Sequence, residues 1–219
     1  MADAHADSPA APSAPRQRTL LVPTPDVTVA IQTHVPPGLL AELEPDSGID
    51  NFSHPDVSRS YLSRIAAQPL GSVTAAYPRG RRLLIAYVAV STPDPETRWG
   101  MAQVPDLLEM VAIEVSRGWR TLGLAVPLVQ ATFEDPWYDD KVVVSNEFVW
   151  HWDLEGSGLT KWRYRVILRR VLHQAGFQEF VTDEPNVRWD PANIFMVRIG
   201  PQVPADLLRR FDELLFQGP

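Results

Sequence analysis

The chain has 219 residues, 45% hydrophobic and 21% charged, which suits one well-packed domain. Its net charge of −7 excludes a general nucleic-acid binder, which needs a basic face. With no cysteine it has no disulfide framework, no thiolate zinc site and no cysteine nucleophile, and its longest apolar run, LLIAYVAV at 83–90, is too short to span a bilayer. No basic-then-apolar leader opens it, so a soluble cytoplasmic protein without nucleic-acid or membrane partners is expected.

Residues 1–18 are rich in Ala, Pro, Ser and Asp, cannot bury a core and are expected to be disordered, ahead of one domain over 19–216. VTVAIQTH (27–34) reads as a strand, and PPGLLAEL (36–43) as a short helix opened by proline. HPDVSRSYLSRIAAQ (54–68) is a longer helix, with Val57, Tyr61, Leu62 and Ile65 in a stripe. GSVTAAY and RRLLIAYVAV flank the turn signal PRG and predict an antiparallel hairpin.

TPDPETRWGMAQVPD (92–106) reads as loop and LLEMVAIEV (107–115) as a strand. LGLAVPLVQATFEDP (122–136) is a helix in which Pro127 is tolerable only in the first turns. KVVVSN (141–146) is a strand, and TKWRYRVILRRVLHQAG (160–176) is the strongest helix, ended by Gly176. FQEFVTD and IFMVRIG are late strands, and PADLLRRFDELL (204–215) is a terminal helix. LFQGP at 215–219 resembles a viral 3C protease cleavage site, so 217–219 are set aside as a processing remnant. The alternation predicts a mixed α/β fold.

Between the strand at 107–115 and the helix at 122–136, SRGWRTLGLA turns sharply. A strand that runs through a tight turn into a helix presents the unpaired N–H groups and the positive dipole end of that helix to one point, which suits an anion. RTLGLA (120–125) fits R-x-x-G-x-A and resembles the pyrophosphate loop of the GCN5-related N-acetyltransferases. VLHQAGF (171–177) resembles the helix-to-strand junction of the same superfamily, with its Gly-Phe pair. The rival phosphate fingerprints G-x-x-x-x-G-K-[ST] and G-x-G-x-x-G are absent.

DLLEMVAIEV (106–115), WHWDL (150–154), TDEP (182–185) and PANIFMVRIG (191–200) resemble the acetoin-utilisation acetyltransferases, the AcuA family, within a likeness that runs from about 27 to 215. That resemblance implies a GNAT-type mixed, mostly antiparallel central sheet flanked by helices. It implies acetyl-CoA as co-substrate, no metal, and acetyl transfer to a lysine of acetyl-CoA synthetase, which switches that enzyme off. It also implies that Arg120, Thr121, Leu122, Gly123, Leu124 and Ala125, with Ile113 and Val115 on the strand leading in, bind the cofactor.

A lysine ammonium, with a reference pKa near 10.4, has no lone pair to attack a thioester, so the enzyme must remove a proton. Glu109, eleven residues before Arg120, resembles the base glutamate of histone-type relatives in its placement; it also suits a fixed ion-pair or hydrogen-bond role. Glu114 competes, but a five-residue spacing puts the two on opposite faces of a regular strand, and only a bulge changes that parity. A strand N–H near Val111–Ile113 is a candidate oxyanion donor. Where the superfamily often has an acidic tyrosine this chain has Leu172, and Tyr164, two turns earlier, is a poor substitute.

Trp150, His151, Trp152 and Asp153 read either as aromatic core, with His151 bonded to Asp153 or the backbone, or as a wall for the lysine or the partner. Asp183 and Glu184 suit a cationic lysine or a pair with Arg188, and Arg163, Arg165, Arg169 and Arg170 read as a solvated helix face. The five histidines lack metal-ligand spacing. Two alternatives stay open: a small-amine N-acetyltransferase, and an acetyl-CoA-sensing regulator that acts by complex formation and has no use for a base at Glu109.

Overall fold

The computed structural model describes residues 14–49 and 55–217. Of the expected N-terminal extension, 1–13 lie outside the described residues, as do 218–219 of the expected remnant and His54 of the expected helix. Residues 14–18 run beside the core: the Arg16 N–H donates to Asp135 (2.9 Å) and the Arg18 N–H to Thr33 (3.0 Å).

The first strand, β1 (Thr19–Pro23), escapes the sequence reading. It is almost wholly exposed at the sheet edge, so no burial alternation marks it. It pairs antiparallel with β2 (Thr28–Gln32). There follow α1 (Pro37–Glu42), β3 (Glu44–Pro45) and α2 (Pro55–Ala66). β4 (Ser72–Pro78), β5 (Leu83–Leu84) and β6 (Ala86–Ser91) come next. The expected hairpin is the antiparallel β4–β6 pair, while β5 forms a small parallel bridge to β3. The proline-rich loop holds one turn of helix, α3 (Arg98–Met101), capped by Thr97, whose hydroxyl accepts from the Gly100 N–H.

β7 (Leu107–Val115) enters a 3₁₀ turn (Arg117–Leu122) and then α4 (Ala125–Phe133). Pro127 is the third residue of α4, where its missing N–H would have no helical partner anyway. β8 (Val142–Glu147), α5 (Leu154–Ser157) and α6 (Lys161–His173) follow. Thr160 caps α6, and Gly176 (φ 85°) reverses the chain so that the buried Phe177 donates its N–H to the Leu172 carbonyl (3.2 Å). β9 (Gln178–Glu179), α7 (Pro185–Trp189), β10 (Ile194–Ile199) and α8 (Ala205–Leu215) complete the fold. The expected strand at 177–183 shrinks to β9 because Thr182 and Asp183 turn away to bond the Leu215 carbonyl at the end of α8.

The main sheet has the order β1-β2-β4-β6-β7-β8-β10-β9, antiparallel throughout except for the parallel β7–β8 pair. This is the mixed, mostly antiparallel sheet flanked by helices that the family resemblance implies. One face packs on α4 and α6 through Val88, Leu108, Leu128, Val143, Leu172 and Phe177. The other face packs on α1 and α2 around Leu40, Leu62 and Tyr87, and on α8 around Trp99, Phe195 and Phe211.

Two irregularities at the centre of the sheet position the site. Ala89 of β6 opposes Ala112, but Val90 opposes Met110, so Val111 is an extra residue in β7. A bulge of this kind bends and twists its strand. On the other side, β7 pairs with β8 only from Leu107↔Val142 to Glu109↔Val144. Beyond that point the two parallel strands diverge and leave a cleft between them.

Candidate active site

Glu109 sits where β7 and β8 part. It is 9% exposed, and its Oε1 accepts from Asn146 Nδ2 of β8 (2.8 Å). Burial pushes its carboxyl above the usual range; the Asn146 bond and the Asp94 backbone N–H pull less strongly the other way. A buried carboxyl so raised, hydrogen-bonded yet without an arginine or lysine partner among the described residues, can accept a proton.

The expected opposition of Glu109 and Glu114 is overturned. The extra residue at Val111 shifts the parity, so Glu109, Ala112 and Glu114 oppose Ser91, Ala89 and Tyr87 on one face, the face of α2. Glu114 is 4% exposed, and its Oε2 accepts from the Tyr87 hydroxyl (2.8 Å), deep in that core and away from the cleft.

A cavity fills the cleft, lined by Met110, Val111, Ala112 and Ile113 of β7, Asn146 and Glu147 of β8, His151, Trp152, and Tyr164 and Leu168 of α6. The main chain of Met110–Ile113 lies beyond the last β7–β8 pair, which leaves this stretch without a β8 ladder partner, as an oxyanion donor there requires. Tyr164 reaches the cavity and stacks on Trp152 (5.3 Å between ring centroids, 13° between planes). Leu172 is fully buried in the core. Two polar atoms at the cavity wall, Trp152 Nε1 and Asn146 Oδ1, have no hydrogen-bond partner among the described residues. Glu147, which the sequence reading did not single out, also lines this cavity; it shows only as the final residue of a short strand, one position past the predicted end.

The loop after β7 is held from below. The Ser116 hydroxyl donates to Asp46, and the Ser116 N–H donates to the Ile85 carbonyl (2.8 Å). Arg117 and Arg120 both grip Asp153: Arg117 Nε at 2.8 Å and Arg120 Nη1 at 2.6 Å from its Oδ2. Arg120 Nε donates to the Val115 carbonyl (3.0 Å). The side chain of Arg120 is therefore a strut that closes the loop. Gly123 takes φ 67°, which favours glycine, and Leu124 precedes α4 with no side-chain cap. Leu124 is fully buried and anchors the turn, Leu122 packs at the edge of the core, and Thr121 and Gly123 are exposed. An uncapped helix start with a small Ala125 is an arrangement that suits an anion. Ile113 and Val115 point to the same α4/α6 side as this loop.

The WHWDL segment divides. Trp152 (7% exposed) and Asp153 (5%) are buried, Asp153 as the arginine anchor, with its carboxyl held well below the usual range, chiefly by its Arg117 bond. Trp150 is 49% exposed, stacks on Phe148 (4.4 Å) and meets Trp189 edge-on (5.4 Å), and His151 lies beside it at the cavity. Asp183 and Glu184 lie far along the chain: Asp183 pairs with Arg98, which also reaches Glu184 (4.0 Å) and the Leu214 and Leu215 carbonyls, a brace for α8. The arginine face of α6 is only partly solvated. Arg165 and Arg169 pair with Glu179, while Arg163 and Arg170 frame an exposed apolar groove of Leu159, Trp162, Val166 and Ile167 on the side of α6 away from Tyr164.

No family model matches the chain. The acetoin utilization proteins AcuA of Bacillus licheniformis and Bacillus subtilis are 32% and 33% identical to it over 191 and 189 residues, spanning 87% and 86% of this chain and 90% and 89% of theirs. The crystal structure of the acetoin utilization protein from Exiguobacterium sibiricum is similar with a TM-score of 0.89 and 31% identity, over 94% of this chain and 96% of that one.

Proposed function

The chain belongs to the AcuA family of acetoin utilization proteins, and from that membership we propose that it is a cytoplasmic protein lysine N-acetyltransferase that moves the acetyl group of acetyl-CoA to a lysine of acetyl-CoA synthetase and so inactivates it. The observation that carries this reading is Glu109, a buried carboxylate without a cationic partner among the described residues, set at the fork of β7 and β8 on the strand that feeds an uncapped helix start.

Acetyl-CoA supplies an activated acyl group with a thiolate leaving group. The first-turn amides of α4 and the loop amides through Ala125 bind its pyrophosphate. Glu109 removes a proton from the lysine ammonium, directly or through a water, from the α2 face of the sheet. The backbone N–H groups of the Val111–Ile113 stretch face the carbonyl oxygen as it gains charge.

The test is intact-mass spectrometry of purified acetyl-CoA synthetase incubated with this protein and acetyl-CoA. The expected result is one added acetyl group, loss of synthetase activity, and neither outcome with Glu109→Gln. Acetylation of small amines with an untouched synthetase would overturn the protein target. Inhibition of the synthetase without any mass change would replace transfer by complex formation.

A further inference from the structure

Resting on the transferase reading above, we propose that Glu147 is the general acid of the reaction, giving its proton to the coenzyme A sulfur as the thioester breaks.

Glu109 and Glu147 approach the cleft from opposite faces of the sheet. Glu109 shares its face with Ala112 and Tyr87 under α2, where the amine is deprotonated. On β8, Val143 packs in the α4/α6 core and Val144 in the α8 core, so Ser145 and Glu147 follow Val143 toward α4 and α6. That is the side of the pyrophosphate loop and of Ile113 and Val115. Glu147 therefore stands on the cofactor side, among Ile113, Trp152, Tyr164 and Leu168, where the sulfur must lie if the pyrophosphate is at α4.

Its surroundings suit a donor. The Ser145 hydroxyl lies 2.6 Å from Glu147 Oε1 and orients it. The groups that face it are Glu109 from β7, Tyr164 from α6 with the Arg120–Asp153 pair behind it, and His151 at the cavity rim. Burial raises its carboxyl to about 7, and the negative charge of Glu109 adds to that; the Ser145 bond opposes both. A carboxyl in this range is substantially protonated at neutral pH, as an acid must be. Leu172, apolar and fully buried in the core, has no proton to give.

The step balances as follows. The amine nitrogen forms a bond to the acyl carbon, the C–S bond breaks, and its electron pair passes to sulfur. Glu147 supplies the proton that turns this thiolate into a thiol. Two protons leave the lysine nitrogen by way of Glu109; one is released, and one restores Glu147 through solvent.

The experiment measures kcat against pH for the wild type, Glu147→Gln, Ser145→Ala and Tyr164→Phe, with two acceptors, acetyl-CoA synthetase and Nα-blocked lysine, and acetyl-CoA affinity by calorimetry. Glu147→Gln is expected to keep acetyl-CoA affinity, to lose roughly 10²–10³-fold in kcat, and to lose the falling limb above neutral pH. Ser145→Ala, which removes a bond favouring the carboxylate, is expected to move that limb to higher pH. Full activity and an unchanged profile in Glu147→Gln would overturn the assignment, as would loss of the limb in Tyr164→Phe with its retention in Glu147→Gln. A wild type that modifies only blocked lysine removes the protein target and leaves Glu147 tested; a wild type that modifies neither removes the transferase reading and this assignment with it.

Discussion

Glu109 and Glu114 share one face of β7 because Val111 is an extra residue in that strand. Their roles separate by position along the strand: Glu109 stands at the fork with β8, and Glu114 accepts a bond from Tyr87 in closed core.

Glu109→Gln should cut transfer roughly 10²–10⁴-fold, while Glu114→Gln, which keeps an acceptor for the Tyr87 hydroxyl, should leave the rate near normal. The two differ in stability as well. Burial raises Glu109 above its unfolded value, so its contribution is favourable at low pH and is lost as pH rises through the folded value. Glu109→Gln should therefore melt at a higher temperature than the wild type at pH 8, with the gap closing toward pH 4. Calorimetric scans across that range check it; a lower melting temperature at pH 8 would show that the carboxylate is favourably paired.

Gly123 permits two substitutions that separate backbone strain from charge. A Cβ there meets no atom within 4 Å, so Gly123→Ala suffers only its φ of 67°, about 1–2 kcal/mol. It should keep acetyl-CoA binding. Gly123→Glu carries the same strain plus a negative charge at the proposed anion site, and should lose thermal protection by acetyl-CoA. Equal binding by both variants would move the pyrophosphate elsewhere.

Asp153→Asn should loosen the loop at a cost of about 1.5–3 kcal/mol, the range for hydrogen bonds to charged groups. Its depressed carboxyl contributes stability above the unfolded value of 3.8, and that contribution is lost as pH falls through the folded value. The penalty should thus be large at pH 7 and shrink in strong acid, and acetyl-CoA affinity should fall with it. Denaturant titrations at several pH values measure the first, calorimetry the second.

Trp152→Ala removes a buried ring stacked on Tyr164 and should cost about 3–5 kcal/mol. Trp150→Ala removes a half-exposed ring and should leave melting temperature and acetyl-CoA binding intact while synthetase modification falls. Unchanged synthetase modification in Trp150→Ala would take the exposed aromatics out of partner recognition.

The sequence by itself determined the order and kind of the longer elements, because their burial follows the periods of helix and strand: LLEMVAIEV is β7 to the residue, and TKWRYRVILRRVLHQAG contains α6 with its cap and its glycine stop, whereas β3, α3, α5 and α7, of two to five residues each, are too short to show a period. The loop at 116–125 was legible for a local reason, since R-x-x-G-x-A and a proline at the third position of a helix encode turn geometry within ten residues. The edge strand β1 was not, because its partner supplies all its hydrogen bonds and its side chains face water. What tertiary structure alone decided is the arrangement of the carboxylates. The bulge at Val111 depends on how β6 registers against β7, and the opening of the cleft depends on where β8 stops pairing. Glu147 becomes a site residue only when β8 brings it beside Tyr164, seventeen positions further along the chain, and Asp153 becomes an anchor only when it closes on arginines more than thirty residues earlier. These are long-range pairings, whose energies depend on strand register and burial, and no local window of residues contains them.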